Sequence, residues 1–246
     1  MRAIILSAGQ GSRLLPLTAD RPKCLIEFSG RTLLDWQLDI LGANGVTEVV
    51  VVVGFRDDQV EAALARRSGG PRVTTLFNPF YKVADNLGSM WIARDWLEGD
   101  LVTLNGDTLV SHDLVAAVLG AGRPGIAVTV DEKGDYDADD MKVVRDADGR
   151  LRRIGKRLGD APVNAESIGF IAYRGDGAAR FRGEIERMLR TPEGTGNWYL
   201  KAIDALAQKE RIETVSIHGQ EWGEVDFPQD LERAETLTRG WAADKQ

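Results

Sequence analysis

The sequence predicts an α/β protein built on a parallel sheet that helices cover on both faces, with a mixed second half. Val49 to Val53 form an uninterrupted run of valines that ends at Gly54. β-Branched residues facing both ways are typical of a parallel strand that is covered by helices on both faces. Such apolar runs alternate along the chain with segments whose apolar residues recur every three or four positions, as in helices. This alternation is typical of repeated β-α-β units.

The first half of the chain predicts these units in a regular order. The short apolar run from Ile4 to Leu6 stops at glycines and predicts a buried strand that leads into a glycine loop. The apolar spacing from Leu33 to Leu41 predicts the crossover helix before the valine strand. The other predicted elements of this half are helices over 59–65 and 90–97 and strands over 73–77 and 101–104.

The second half has a less regular pattern, in which an acidic segment over 131–140 predicts a loop. A turn sequence at 146–149 predicts a hairpin between strands 142–144 and 151–154. The other predicted elements are strands over 126–130, 167–173 and 213–217, and helices over 177–189, over 198–208 and from Pro228 onwards. We expect one domain over residues 1–246, with a regular half (1–124) and a mixed half (125–246).

Charge and cysteine content exclude several classes of protein. The net charge is −7, which argues against a basic nucleic-acid binder. A lone cysteine, Cys24, cannot form an internal disulfide, and with two histidines it cannot make a typical structural zinc site. The N-terminal apolar run is too short for a signal sequence or a membrane span. We therefore expect a cytoplasmic protein with no membrane association.

A glycine loop is the first candidate for ligand binding. Gly9 and Gly11 follow the first predicted strand, where backbone N–H groups can approach phosphate oxygens, and Arg13 adds a positive charge. Lys23 and Arg21 place further cations nearby in sequence. The loop lacks the third glycine of the dinucleotide fingerprint and the ending of a P-loop. The alternatives are a tight turn without a ligand and an ordinary solvated pair of cations.

Two aspartates are candidate metal ligands. Asp107 follows a predicted strand in Asn105-Gly106-Asp107, at the sheet edge where open parallel sheets bind ligands. Asp226 follows Glu224 on a short predicted strand. One or two carboxylates suit Mg²⁺, which fills its remaining positions with phosphate oxygens and water. The alternatives are a turn aspartate at 107 and a helix N-cap at 226.

These motifs together resemble the nucleoside-triphosphate transferase family. The segment from Leu6 to Arg13, then Pro22-Lys23, Asn105-Gly106-Asp107 and Glu224-Val225-Asp226 follow the family's order across nearly the whole chain. The segments 78–81 and 85–91 are similar to those of cytidylyltransferases that act on phosphocholine and related small phosphates. They depart from the Gln and Gly-Thr-Ala pattern of hexose-1-phosphate enzymes.

The resemblance implies a Rossmann-like, doubly wound mixed sheet, that is, a GT-A-like nucleotidyltransferase fold, with an inserted acceptor-binding region. It implies a reaction between a nucleoside triphosphate, with CTP favoured, and a small phosphomonoester or phosphonate, with loss of pyrophosphate. Arg13 and Lys23 would be catalytic, and Asp107 and Asp226 would bind Mg²⁺. The residues expected at the nucleotide are Leu6, Ala8, Gly9, Gly11, Ser12, Asn86 and Ser89.

The acceptor is expected in the mixed half, where carboxylates and aromatic rings could hold an ammonium group. The candidates are Asp131, Tyr136, Lys142, Trp198 and Trp222, and Lys142 with Lys156 could instead contact the acceptor phosphate. The alternative is a solvated acidic loop with tryptophans in the core. Three other functions stay open: a sugar-1-phosphate nucleotidyltransferase, a non-catalytic nucleotide-binding domain and a dinucleotide-dependent reductase. The sequence leaves open whether the chain forms homo-oligomers.

Overall fold

The alternating apolar runs form adjacent strands in the computed structural model, which describes residues 1–217 and 219–243. In chain order the described strands are β1 (Arg2–Ser7), β2 (Glu27–Phe28), β3 (Arg31–Thr32), β4 (Glu48–Val53), β5 (Arg72–Phe77), β6 (Leu101–Asn105), β7 (Thr108–Val110), β8 (Ile126–Asp131), β9 (Lys142–Arg145), β10 (Leu151–Gly155), β11 (Ala165–Tyr173), β12 (Glu213–Ser216) and β13 (Trp222–Glu224).

Most of these strands belong to one mixed sheet with the order β10-β9-β11-β6-β1-β4-β5, in which β8 also pairs with β11 and β12 pairs with β8. Strands β6, β1, β4 and β5 run parallel, whereas β11 is antiparallel to β6. Leu6 of β1 lies opposite Asn105 of β6. The segments that follow these two strands therefore meet at one edge of the sheet. Two short ribbons, β2-β3 and β7-β13, lie outside the sheet.

Helices cover both faces of the sheet. They are α1 (Leu33–Ala43), α2 (Asp57–Ala65), α3 (Asn86–Ile92), α4 (His112–Gly120), α5 (Gly177–Leu189), α6 (Leu200–Ala207) and α7 (Asp230–Ala243). Short 3₁₀ turns occur at Ser12–Leu14, Lys23–Leu25, Arg94–Trp96 and Gly194–Gly196. Thr32 begins α1 by accepting a hydrogen bond from the N–H of Asp35 (3.0 Å), an arrangement typical of an N-cap.

The valine strand shows why the core has two layers. Val49, Val51 and Val53 pack into a cluster on one face of the sheet, and Val50 and Val52 pack into a second cluster on the other face. All of them are fully buried. Each buried valine contributes about 1.5–3 kcal/mol relative to an exposed one, so this strand stabilises both layers at once. The predicted α/β architecture with a doubly covered sheet is confirmed.

Several predicted helix boundaries differ from the structure, and one helix was not predicted. The helix expected over 90–97 begins earlier, because the Asp85 carboxylate accepts a hydrogen bond from the N–H of Asn86 (2.7 Å) and caps α3 there. The closing helix begins at Asp230 rather than at Pro228, since the Asp230 carboxylate accepts the N–H groups of Asp226 and Phe227. Helix α4 has no counterpart in the sequence prediction. No helix among the described residues is long and apolar enough to span a membrane.

Candidate active site

A cavity of about 580 Å³ opens where β1 and β6 end side by side. The N–H of Gly106 donates a hydrogen bond to the carbonyl of Leu6 (2.9 Å), which joins the two strand ends. The cavity is lined by Leu6, Ser7, Gly9, Gln10, Gly11, Ser12, Arg13, Lys23, Cys24, Tyr81, Lys82, Asp85, Asn86, Asn105, Gly106, Asp107 and Asp226. We call it the strand-end cavity.

The glycine loop lies directly against Lys23. Gly11 has a φ of 77°, and a Cβ placed on it would come within 3.0 Å of the Cβ of Lys23. Only glycine combines this left-handed conformation with so close an approach. Thr18 donates a hydrogen bond to the carbonyl of Gly11 (2.8 Å) and holds the loop in this position. The loop and the lysine therefore form one wall of the cavity.

Lys23 forms ion pairs with both candidate metal ligands. Its Nζ lies 2.8 Å from Oδ2 of Asp107 and 2.7 Å from Oδ1 of Asp226. Only 14% of its side chain is exposed. Burial alone would lower the pKa of Lys23, but the two carboxylates outweigh it and raise the pKa above its ordinary value. Lys23 is therefore a fully charged ammonium at neutral pH.

Backbone pairing brings Asp226 to Asp107 across the chain. Strand β13 pairs with β7, and the N–H of Val225 donates to the carbonyl of Asp107 (3.0 Å). Arg13 donates to Oδ2 of Asp226 (3.0 Å). Burial acts to raise the pKa of Asp226, but the neighbouring Lys23 and Arg13 lower it below the ordinary value. The Asp226 carboxylate thus stays ionised, and it binds cations instead of capping a helix.

The two aspartates fit a divalent metal. Both carboxylates lie within hydrogen-bond distance of a single ammonium, so their oxygens already surround one cation position. No group of three or more His, Cys, Asp or Glu side chains among the described residues forms a complete metal site. A hard ion such as Mg²⁺ accepts this arrangement when phosphate oxygens and water supply its other ligands.

A second cavity, of about 650 Å³, shares Asp226 with the first. It is lined by Asp131, Lys133, Asp137, Ala138, Asp139, Asp140, Glu166, Trp222, Gly223, Glu224, Asp226, Phe227, Gln229, Asp230 and Arg233. We call it the acidic cavity, because its carboxylates far outnumber its cations. Its charge favours a cationic group on whatever occupies it.

Two glutamates in the acidic cavity have strongly raised pKa values. Burial raises the pKa of Glu166 to about 7, although Lys133 opposes this and Asp140 adds like-charge repulsion. The Nζ of Lys133 lies between two carboxylates, 2.8 Å from Oδ2 of Asp140 and 2.9 Å from Oε2 of Glu166. Loss of hydration, followed by repulsion from Asp107 and Asp226, raises the pKa of Glu224 to about 8. Such shifts cluster at functional sites.

Comparison with known proteins identifies the family. The model of the MobA-like NTP transferase domain matches residues 3–214. The chain belongs to this family. It is 26% identical to CTP:phosphoglutamine cytidylyltransferase of Campylobacter jejuni, covering 94% of this chain and 98% of that enzyme. It is 28% identical to CMP-5'-(3-aminopropyl)phosphonate synthase of Streptomyces rubellomurinus, covering 96% of this chain but 38% of that protein. Among the curated relatives, the chain therefore spans nearly all of the first and less than half of the second.

Solved structures confirm the fold of this NTP transferase. CTP:phosphocholine cytidylyltransferase from Streptococcus pneumoniae matches with a TM-score of 0.77 at 19% identity, covering 96% of this chain and 98% of that one. The inositol-1-phosphate CTP transferase from T. maritima matches with a TM-score of 0.79 at 21% identity, covering 97% and 95%. These identities support the GT-A-like fold alone. The family match and the curated relatives show in addition that the chain is a nucleotidyltransferase.

The structure brings together most of the residues expected at the nucleotide. The expected residues on the lining of the strand-end cavity are Leu6, Gly9, Gly11, Ser12, Arg13, Lys23, Asn86, Asp107 and Asp226. Ala8 and Ser89 are not among the lining residues. Ala8 is buried and its carbonyl accepts a hydrogen bond from Phe55, while Ser89 is buried and accepts one from Asn78. Arg21 also lies outside the lining.

The expected acceptor residues separate into two groups. Asp131 and Trp222 line the acidic cavity, and Nε1 of Trp222 donates to Oδ2 of Asp131 (2.7 Å). Tyr136, Trp198 and Lys142 are not among the lining residues of either cavity. The Lys142 ammonium donates to backbone carbonyls of Asp137 and Lys156, and its expected contact with an acceptor phosphate stays a prediction.

The aromatic rings expected at the ammonium group already face lysines of the chain. The Nζ of Lys133 lies 5.8 Å from the centre of the Tyr136 ring, and that of Lys156 lies 5.1 Å from the Trp198 ring. Contact of these two rings with the ammonium group of an acceptor therefore stays a prediction, because in this structure each ring already faces a lysine.

Sequence reasoning missed three residues that shape the site. Gln37 donates to the carbonyls of Asn105 and Thr108 (both 2.8 Å) and so holds the backbone on either side of Asp107. Glu166 lines the acidic cavity from the start of a buried strand. Lys82 lines the strand-end cavity. None of them lies in a recognisable motif, so only the tertiary structure reveals them.

Proposed function

We propose that this nucleotidyltransferase is a Mg²⁺-dependent cytidylyltransferase that joins CTP to a small amine-bearing phosphate or phosphonate. The observation that carries the proposal is the position of Asp226 on the shared wall of two cavities. One cavity offers a glycine loop and lysines to a triphosphate, and the other offers carboxylates to an ammonium group. An acceptor with a phosphate at one end and an amine at the other matches this arrangement of charge.

The proposed reaction is an in-line displacement at the α-phosphorus of CTP. An oxygen of the acceptor, already ionised at neutral pH, forms the new P–O bond. The bond from the α-phosphorus to the bridging oxygen breaks, and its electron pair leaves with pyrophosphate. No protein nucleophile or general base is required, so catalysis consists of positioning and charge stabilisation. Cys24 is no nucleophile in this proposal, because burial raises the pKa of its thiol to about 12 and keeps the thiol protonated.

The chain's own cations and carboxylates have distinct tasks in this reaction. Arg13 and Lys23 would stabilise charge on the phosphates, and the glycine loop would orient them. Asp107 and Asp226 would hold Mg²⁺. When bound, that ion polarises phosphoryl oxygens as a Lewis acid. In this proposal residues 1–124 supply nearly the whole strand-end cavity, and residues 125–246 supply the acidic cavity.

The acidic cavity favours a primary ammonium over a quaternary one. Its lining is rich in carboxylate oxygens, which accept charge-assisted hydrogen bonds from –NH₃⁺ but receive none from a trimethylammonium group. Phe227 in its lining is already covered by Arg13, whose guanidinium lies 4.7 Å from the ring centre. Trp222 adds one aromatic surface. The relatives named for phosphoglutamine and (3-aminopropyl)phosphonate support both CTP and an amine-bearing acceptor.

The test is a pyrophosphate-release assay with Mg²⁺. CTP, UTP, GTP, ATP and dTTP are each paired with phosphoethanolamine, aminoethylphosphonate, phosphocholine, glycerol phosphate and sugar 1-phosphates. We expect release with CTP and a primary amine, and weaker release with phosphocholine. The Lys23→Ala variant serves as the control for contaminating activity. Release only with a sugar 1-phosphate would contradict the proposed amine-bearing acceptor. Release only with another triphosphate would contradict CTP as the nucleotide substrate.

A further inference from the structure

We infer that Lys23 and a divalent metal compete for the same two carboxylates, so that metal binding at this site depends on a bound nucleotide. The inference rests on the proposed function, because it requires a nucleoside triphosphate in the strand-end cavity. It assigns Lys23 a second role. Besides stabilising phosphate charge, its ammonium would control access to Asp107 and Asp226.

The geometry places the ammonium where a bridging cation would lie. Its Nζ contacts Oδ2 of Asp107 at 2.8 Å and Oδ1 of Asp226 at 2.7 Å, and all three side chains are mostly buried. Charge-assisted hydrogen bonds of this length are strong, particularly when water is largely excluded. A divalent ion bound to the same oxygens would meet the ammonium at close range and be repelled. Lys23 must therefore leave before a metal can bind both carboxylates.

The described residues provide no complete set of metal ligands by themselves. They contain no group of three or more His, Cys, Asp or Glu side chains that could hold a metal. Two carboxylates shared with an ammonium leave a hard ion short of ligands, whereas a triphosphate adds several oxygens. The nucleotide would thus supply ligands to the metal and remove the competing cation in one event.

The path of the Lys23 stem shows how a triphosphate could draw the ammonium away. The position of a Cβ on Gly11 lies 3.0 Å from Cβ and 3.1 Å from Cδ of Lys23, so the stem runs along the glycine loop. Phosphates bound on that loop would lie beside the stem. Only the outer bonds of a flexible lysine need to rotate for the ammonium to exchange a carboxylate for a phosphate.

Mn²⁺ binding in the absence of nucleotide, measured by electron paramagnetic resonance of the free ion, tests this inference without any catalytic readout. Wild-type protein is compared with Lys23→Met and with Lys82→Met. Lys82 lines the same cavity, and Lys82→Met removes the same charge, but the ammonium of Lys82 faces the ring of Tyr81 (5.7 Å). We expect Lys23→Met to bind Mn²⁺ at least about tenfold more tightly than wild type, the scale of one strong charged hydrogen bond. Lys82→Met should bind as weakly as wild type.

Two results would overturn the inference. One is wild-type protein that binds Mn²⁺ without nucleotide as tightly as Lys23→Met does. The other is a Lys82→Met variant that gains as much affinity as Lys23→Met, which would mean that net charge alone decides. The Mn²⁺ titration of wild-type protein does not depend on whether either variant folds.

Isothermal titration of wild-type protein with CTP in EDTA provides the second test. We expect CTP to bind without metal, and no detectable binding of CTP in EDTA would mean that the triphosphate alone does not draw Lys23 from the carboxylates, which would overturn the inference. Both binding measurements test the inference separately from the proposed cytidylyltransferase activity. Loss of pyrophosphate release with every acceptor would contradict that function while the Mn²⁺ comparison could still succeed.

Discussion

The hydroxyl of Tyr199 donates a hydrogen bond to Oδ1 of Asn105 over 3.0 Å. The backbone N–H of the same tyrosine donates to Oδ1 of Asn86 (2.9 Å). Both asparagines line the strand-end cavity, whereas Tyr199 itself is fully buried beside α6. One residue of the mixed half thereby holds two polar side chains of the regular half in position.

Tyr199→Phe tests this positioning role. The variant keeps the ring and its backbone bond to Asn86 and loses only the hydroxyl, so we expect the free energy of unfolding to fall by about 1 kcal/mol. Because Asn105 precedes Gly106-Asp107, we also expect turnover to fall several-fold with a smaller change in the KM for CTP. Chemical denaturation and steady-state kinetics measure both effects. A turnover equal to that of wild type would remove Tyr199 from the positioning of the site.

Asp107→Asn tests the proposed metal ligand. The amide keeps the shape of the side chain but loses the charge that faces Lys23, so we expect turnover to fall by at least about 100-fold while the protein stays folded. The matched control is Asp113→Asn on α4, where the exposed carboxylate pairs with His112. Pyrophosphate release and circular dichroism are the measurements. Comparable turnover in the two variants would exclude a catalytic role for Asp107.

Gly106→Ala tests the contact between the two strand ends. A Cβ at this position would lie 2.3 Å from the carbonyl oxygen of Leu6, which is backbone and cannot move aside without shifting β1. We expect a loss of about 2 kcal/mol or more in the free energy of unfolding. Gly183→Ala on α5 is the control, because nothing lies within 4 Å of its added Cβ and alanine favours a helix. Thermal unfolding should move in opposite directions for the two variants.

Trp222→Phe tests the wall of the acidic cavity. The substitution removes the hydrogen bond from the indole to Asp131 (2.7 Å), so we expect a higher KM for an amine-bearing acceptor and an unchanged KM for CTP. Tyr136→Phe is the comparison, since that ring lies outside the cavity lining and should leave both constants unchanged. If Tyr136→Phe raised the acceptor KM instead, the acceptor would lie in the loop and not in this cavity.

Glu166→Gln tests the electrostatics of the same cavity. Burial raises the pKa of Glu166 to about 7, against about 4.3 for an unfolded glutamate, so the folded state holds the proton more tightly. This contribution to stability is fully present below about pH 4.3 and is lost as the pH rises to about 7. The variant should show a flatter dependence of the unfolding temperature on pH across that window. The exposed Glu193→Gln should keep the wild-type slope.

The sequence carried most of the evidence for the architecture. The valine strand predicted a sheet covered on both faces because an uninterrupted β-branched run has no polar face to offer to water. The four ordered motifs, through the family that they resemble, predicted about half of the residues that line the strand-end cavity, because glycines and carboxylates at strand ends leave local patterns. Helix starts were less certain, since the cap at Asp85 depends on one side-chain hydrogen bond.

Only the tertiary structure decided which charges meet. Lys23 and Asp226 are separated by 203 positions in the chain, and only the pairing of β7 with β13 brings them within 2.7 Å. The same holds for the acceptor side, where the structure places the predicted Asp131 and Trp222 together on the acidic cavity and sets lysines against the rings of Tyr136 and Trp198. Local patterns specify strands, turns and loops, because these depend on neighbouring residues. Ion pairs and cavity walls depend on contacts between distant segments, which no local pattern contains.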